Sequence, residues 1–416
     1  MKKSGPAVLD RDAAGPVRPD RHTRPDLADS ETDSDSDSAS PLHAGARRRP
    51  LYAVSRMHLD AMSDDLGIWQ HARGAEPDPR HGYCTDDVAR AIVVDVLHSR
   101  ELRPVIFEGS LRRSIRFLSE AFNPESGRFL NLRTADGQWL DADASEDCHA
   151  RALLGLAMTM AGMQGTDLSE EAGRLFDRAL PAAASFGALR AISAALLACD
   201  SAIDSGLSAG ADPVFAELAA RLESTLRHVS IRSAPPEWPW PEPTLTYENA
   251  IVPRALIAAG RRLGQPALLA LGCSVLDWLI DVQAGESGQF SPIGNSGWWS
   301  RGAERGRFDQ QPIEAATMVS AAAAAFGATG RRHYLDAAEA AYGWFLGDND
   351  LGVVMADPIR GACYDGLTPT GPNRNQGAES TLMWLTALEQ MRELRRGTQG
   401  QQGEPIEAEP RSGLDA

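Results

Sequence analysis

Six times along this chain a helix-sized apolar segment recurs, and five of the six open on a carboxylate that packing alone does not require. The openings read Tyr83-Cys84-Thr85-Asp86-Asp87, Ser145-Glu146-Asp147, Thr246-Tyr247-Glu248, Gln311-Pro312-Ile313-Glu314 and Gly377-Ala378-Glu379. The sixth, Phe186-Gly187-Ala188, carries no acid. Each leads into a run of small and aliphatic residues, such as Ala150 to Ala161 or Ala315 to Ala328. A helix apolar nearly all round is buried by neighbours on every side. Between these runs lie six amphipathic stretches, near Tyr52–His71, Phe107–Phe122, Ser169–Ala184, Pro213–Val229, Gln265–Val282 and Arg332–Leu346. Their charges recur on one side, as for a helix with one solvated face.

Alternating outer and inner helices, six of each, predict an all-α fold, an (α/α)6 toroid of six helical hairpins. The open alternative is a helical solenoid. The inner helices are expected to begin near Asp86, Glu146, Gly187, Glu248, Glu314 and Glu379, all at one end of the ring. The loops leading into them are long and rich in Gly and Trp. Gly127–Leu132 with Gln138-Trp139-Leu140, and Gly288–Ser291 with Gly297-Trp298-Trp299, read as short β-hairpins. Long loops are usually functional, and here they gather at the acidic end.

The chain has 416 residues, 43% of them hydrophobic, enough for a large core. Residues 1–50 are rich in Pro, Asp, Ser and Arg and cannot bury enough apolar surface to offset their ordering entropy. A disordered N-terminal tail over 1–50, a toroid over 51–396 and a disordered C-terminal tail over 397–416 follow. No secretory signal opens the chain, and no apolar run reaches the roughly 20 residues needed to span a bilayer. Five scattered cysteines fit a reduced, cytoplasmic protein better than a disulfide framework. A net charge of −16, from 41 basic and 57 acidic residues, argues against nucleic-acid binding.

A carboxylate in a helix's first turn has a bland reading: it caps free N–H groups and complements the macrodipole, worth roughly 0.3–1 kcal/mol. Five of six inner helices doing so, beside Trp- and Tyr-bearing loops, favours a pocket lined by acids. Arg90 follows Asp87 by three positions and Arg151 follows Asp147 by four, so each can pair on its own helix face. Two carboxylates facing across a cavity are the arrangement used for glycoside cleavage. The candidate catalytic residues are Glu314, Glu146, Asp147, Asp87 and Glu248.

Packed helices lie roughly 8–10 Å apart, which puts opposed inner axes about 16–20 Å apart and their acids on the order of 6–10 Å apart. That range fits inversion. Opposed hairpins pair Asp87 with Glu248, and Glu146 or Asp147 with Glu314, the second pair being favoured. Glu379 has no opposed acid and reads as a ligand for sugar hydroxyls. The other candidate substrate-binding residues are Asp86, Tyr83, His149, Trp139, Trp240, Trp298, Trp299, Gln310, Gln311 and Asn375, aromatics for stacking and polar groups for hydroxyls. Trp238 is a further stacking candidate, with simple burial its rival reading. No phosphate loop, dinucleotide fingerprint or Ser nucleophile elbow is present. Cys148-His149 lacks a second Cys/His pair, so no metal and no cofactor are expected.

Four ordered blocks carry a resemblance. Tyr83-Cys84-Thr85-Asp86-Asp87-Val88-Ala89-Arg90, Ser145-Glu146-Asp147-Cys148-His149-Ala150-Arg151, Phe308-Asp309-Gln310-Gln311-Pro312-Ile313-Glu314-Ala315 and Gly377-Ala378-Glu379-Ser380-Thr381-Leu382 resemble the helical module of the six-hairpin glycosidase-like group. Similar modules occur in bacterial proteins often labelled glycosyltransferases. The resemblance spans about Leu51 to Leu394 and implies a toroid acting on carbohydrate, without fixing the reaction. The expected activity is inverting glycoside hydrolysis of an oligosaccharide or glycan. The alternatives are a sugar phosphorylase or isomerase on the same fold, and a glycan-binding module serving a partner glycosyltransferase.

Overall fold

The computed structural model describes residues 48–141, 145–232 and 237–402. Twelve α-helices order them: α1 (Met57–Ala61), α2 (Thr85–His98), α3 (Pro104–Ala121), α4 (Glu146–Gly162), α5 (Asp167–Ala179), α6 (Leu189–Ser205), α7 (Ala211–Arg232), α8 (Ile251–Arg262), α9 (Pro266–Val282), α10 (Pro312–Thr329), α11 (Arg332–Phe345) and α12 (Ala378–Gln402). The even-numbered helices pack each on the next, α2 on α4 and so on to α12, which returns to α2 and closes the ring. Helices α3, α5, α7, α9 and α11 each pack outside the inner helix that precedes them. The described residues thus form an (α/α)6 toroid, not an open solenoid.

Local chemistry sets the hairpins. Tight turns follow the inner helices, as where Gly330, at φ 68°, takes the left-handed conformation that ends α10 two residues before α11. Pro in the first turn starts α3, α9 and α10 where its missing N–H is harmless. Gly260 lets α8 and α9 touch: a Cβ there would lie 2.4 Å from the Leu269 backbone nitrogen. Because each short turn joins an inner C-terminus to an outer N-terminus, the long loops and all six inner N-termini fall at the opposite end. That is the arrangement expected from the sequence.

Four expectations need correction. The stretch Tyr52–His71 is not an outer helix: only Met57–Ala61 is helical. The Asp64 carboxylate accepts from the backbone N–H groups of Leu66 (2.9 Å) and Gly67 (3.1 Å), turning the chain back so that Ser63 bridges Ile68. Trp299–Ser300 pairs with Thr244–Leu245 rather than with residues 288–291. Glu248 lies outside helix α8, which begins at Ile251. Of the expected hairpin of Gly127–Leu132 with Gln138–Leu140 only the turn end forms, as an Arg133–Trp139 bridge to which Tyr83–Cys84 adds a strand, while Arg128–Phe129 pairs with Phe122–Asn123.

Helix α12 continues to Gln402, past the boundary drawn at 396, and the tails over 1–47 and 403–416 lie outside the described residues. All five cysteines are buried and unpaired. Among the described residues no helix is long and apolar enough to cross a membrane.

Candidate active site

A pocket of about 550 Å³ opens at the N-terminal end of the inner ring. Helix α2 contributes Asp86 and Asp87, α4 contributes Asp147, α12 contributes Glu379, and the loop before α12 contributes Asp365. Against these five carboxyl groups stand two guanidinium groups, Arg90 and Arg151. Trp298, Tyr247, Gln311 and His71 also line the wall.

The two arginines organise the acids in pairs. Arg90 bonds Asp87 at 2.8 Å, as its i,i+3 spacing predicts, and Glu379 at 2.8 Å across the helix interface. Arg151 does not pair with Asp147. It reaches Asp86 at 2.8 Å and Glu248, because its side chain points toward the ring interior and not along its own helix. The Tyr247 hydroxyl donates to Asp147 instead.

These contacts separate neighbouring carboxyls. Burial pushes Asp87 up to about 7, with Glu379 and Asp86 adding to the rise and Arg90 opposing it. Burial acts the same way on Asp86, but Arg151 and Arg90 outweigh it and hold that carboxyl below its ordinary value. The His71 imidazole is held below its usual range by burial and by His81, whose ring lies 4.7 Å away edge-on. Burial likewise raises Asp365, whose carboxylate accepts from the Gly377 backbone N–H at 2.7 Å.

Backbone strain collects at the same rim. Glu248, Trp298 and Asp309 are the non-glycine residues at positive φ among those described, at 49°, 53° and 58°. Each such residue costs on the order of 1–3 kcal/mol, and such strain tends to gather at functional sites. At Glu248 the twist turns the backbone N–H toward Glu314, 2.5 Å away.

That bond removes Glu314 from the pocket. It is fully enclosed, accepts from the Glu248 amide, and is pushed up to about 8 by burial. Glu146 also turns away: its carboxylate accepts from Gly187 (2.8 Å) and Ala188 (2.7 Å), capping α6, whose own opening carries no acid. Glu248 faces a second cavity below the arginines. Neither expected opposed pair, Asp87 with Glu248 or Glu146/Asp147 with Glu314, therefore meets across the pocket.

Of the expected ligands, Asp86, Trp298, Gln311 and Glu379 line the pocket, and the Glu379 side chain is 39% exposed there. The rest serve packing. Tyr83 stacks on Trp69 at 4.3 Å and donates to Asp64 at 2.6 Å. His149 is enclosed, with Ala179 O 3.0 Å from Nε2, and burial lowers it to about 4. Trp139 packs on Phe117 and under Arg133, Trp238 and Trp240 donate to Glu242, and Trp299 lies against Trp238 and Trp278. Gln310 is buried between Trp344 and Asp350, and Asn375 holds the Gly74 amide at 3.1 Å outside the wall.

His71 and Asp365 were not legible as site residues. The first sits in a stretch whose sequence pattern is that of an outer helix, the second in a loop whose path only the closed ring sets. Tyr247 stands beside an expected acid, and its position in that opening was the one available signal.

No family model matches the sequence, and no curated protein matches it. The chain shares the (α/α)6 toroid of six-hairpin proteins, with solved structures similar over most of their length. A sugar epimerase from a ruminal bacterium has TM-score 0.63 at 13% identity, covering 81% of this chain and 94% of that one. A D-mannose isomerase has TM-score 0.61 at 12% identity, covering 81% and 94%. A GH76 α-mannanase from Bacteroides thetaiotaomicron has TM-score 0.55 at 9% identity, covering 82% and 95%.

Proposed function

We propose that this protein is a carbohydrate-active enzyme that hydrolyses glycosidic bonds in a neutral oligosaccharide with inversion. The observation that carries this reading is the separation of two adjacent pocket carboxyls, Asp87 raised and Asp86 lowered. Environments that push neighbouring groups apart assign acid and base roles. Asp87 keeps its proton near neutral pH and gives it to the leaving oxygen. Asp147, held by the Tyr247 hydroxyl, takes a proton from the attacking water. Asp86, ionised on Arg151, faces the positive charge that grows on the sugar ring, and Glu379 serves as a hydroxyl ligand.

Helices α2 and α4 are ring neighbours, with axes roughly 8–10 Å apart. That spacing leaves room for first-turn acids on them to stand about 6.5–9.5 Å apart, the range that admits a water between acid and base. Five carboxyls against two arginines disfavour uronates and sugar phosphates and favour uncharged sugars. Trp298 offers a face for stacking.

One observation favours a second reading, sugar epimerisation or isomerisation: a neutral imidazole, His71, lines the same pocket and could remove a proton beside a carbonyl. The higher TM-scores of the epimerase and isomerase support the same alternative.

The test is a panel of neutral oligosaccharides followed by NMR in D2O, with and without phosphate. Hydrolysis predicts reducing-end release, with the inverted anomer appearing first and no need for phosphate. Asp87→Asn and Asp147→Asn should each lower turnover at least about 100-fold. Deuterium incorporation beside the anomeric carbon without bond cleavage, lost in His71→Ala, would replace hydrolysis with the second reading.

A further inference from the structure

A second cavity lies beneath the Arg90–Arg151 layer, on the ring axis, enclosed by the inner helices. Its volume is about 100 Å³. A water in the liquid occupies about 30 Å³, so the space holds about three waters, too little for a hexose.

The donors on its wall are unmatched. The Arg254 side chain of α8 lines the cavity and makes no hydrogen bond or ion pair among the described residues. The Thr386 hydroxyl of α12 is buried without a partner. One turn further on, Gln390 accepts from Ser320 through Oε1, which leaves its Nε2 donor without a partner. Thr386 and Gln390 share one face of α12 at i,i+4 spacing.

Charge on the wall points the same way. Arg151 is answered by Asp86 and Glu248, and Arg90 by Asp87 and Glu379. Glu248, the carboxylate lining this cavity, is already engaged by Arg151. Arg254 alone among these arginines makes no ion pair, Glu248 and Asp200 acting on it only from a distance, and a guanidinium taken out of water without a direct partner is costly. Burial accordingly lowers its pKa.

We propose that this axial cavity binds a small inorganic anion, a halide or a phosphate-like oxyanion, held by the Arg254 guanidinium, the Thr386 hydroxyl and the Gln390 amide. The anion satisfies these donors behind the pocket floor and braces Arg151 and Arg90 from below. It takes no part in bond cleavage, because the two arginines stand between it and the pocket.

The test uses the full chain in Hepes–NaOH, with NaCl or sodium phosphate replacing buffer salt at constant ionic strength. Chloride, phosphate or both should raise the melting temperature saturably by about 2 °C or more. The anion that acts tells a halide site from an oxyanion site. Arg254→Met should lose the response. If that variant fails to fold, Thr386→Val/Gln390→Leu should weaken it by about tenfold in apparent affinity. Crystals grown in bromide should show an anomalous peak against the Arg254 guanidinium. No saturable response to either anion, or an equal response in Arg254→Met, would overturn the proposal.

Discussion

Replacing Asp87 by Asn should make the protein more stable while disabling it, by an amount that grows with pH. The unfolded chain ionises this aspartate near about 3.9. In the folded state burial, Glu379 and Asp86 push it up to about 7. An acid whose folded pKa is raised is neutral in the fold and ionised in the unfolded chain between those two values. The fold therefore loses stability as pH rises from about 4 to 7, by about 1.4 kcal/mol per pH unit, and nothing further above that. The separation of about three units gives a full cost of about 4 kcal/mol.

Asparagine removes the titration yet keeps an acceptor for Arg90, which bonds Asp87 at 2.8 Å. Because Asp87 is itself neutral in the fold below about pH 7, asparagine exchanges one neutral acceptor for another and offsets little of the gain. The stability difference between Asp87→Asn and the parent should thus shift by about 3 kcal/mol in the variant's favour between pH 4.5 and 7.5. Urea unfolding of both proteins at four pH values measures it. A difference that stays flat, or that falls as pH rises, would refute the argument that burial keeps this carboxyl protonated.

Three further outcomes follow from the same contacts. Arg151→Met strands Asp86 and Glu248 without their cation and should cost about 3–5 kcal/mol in urea unfolding at pH 7, less near pH 4 where Asp86 can protonate. Glu314→Gln should leave turnover within a few-fold of the parent, because Glu314 is a buried acceptor for the Glu248 amide; a loss beyond about 100-fold would return it to the reaction. Glu146→Ala should cost about 1 kcal/mol in thermal unfolding with turnover unchanged, since its carboxylate caps α6.

The sequence by itself determined the repeat. Apolar-all-round runs such as Ala315 to Ala328 can be satisfied only by neighbours on every side, and their alternation with amphipathic stretches defines inner and outer layers. Long loops entering the inner runs and tight Gly-ended turns leaving them placed the acidic helix starts at one end. The Asp87–Arg90 pair was legible too, because helix geometry alone brings those residues together.

Tertiary structure decided what each acid does. A first-turn carboxylate has the same sequence signature whether it faces a pocket, as Asp87 and Glu379 do, or satisfies a backbone amide in a neighbouring hairpin, as Glu146 and Glu314 do. The choice depends on which donors ring closure brings within about 3 Å, and those donors lie 40 to 70 residues away in the chain. Arg151 shows the same limit: its own helix offered Asp147, but the ring presented Asp86 and Glu248, and a buried cation takes the carboxylates that desolvation has left nearest.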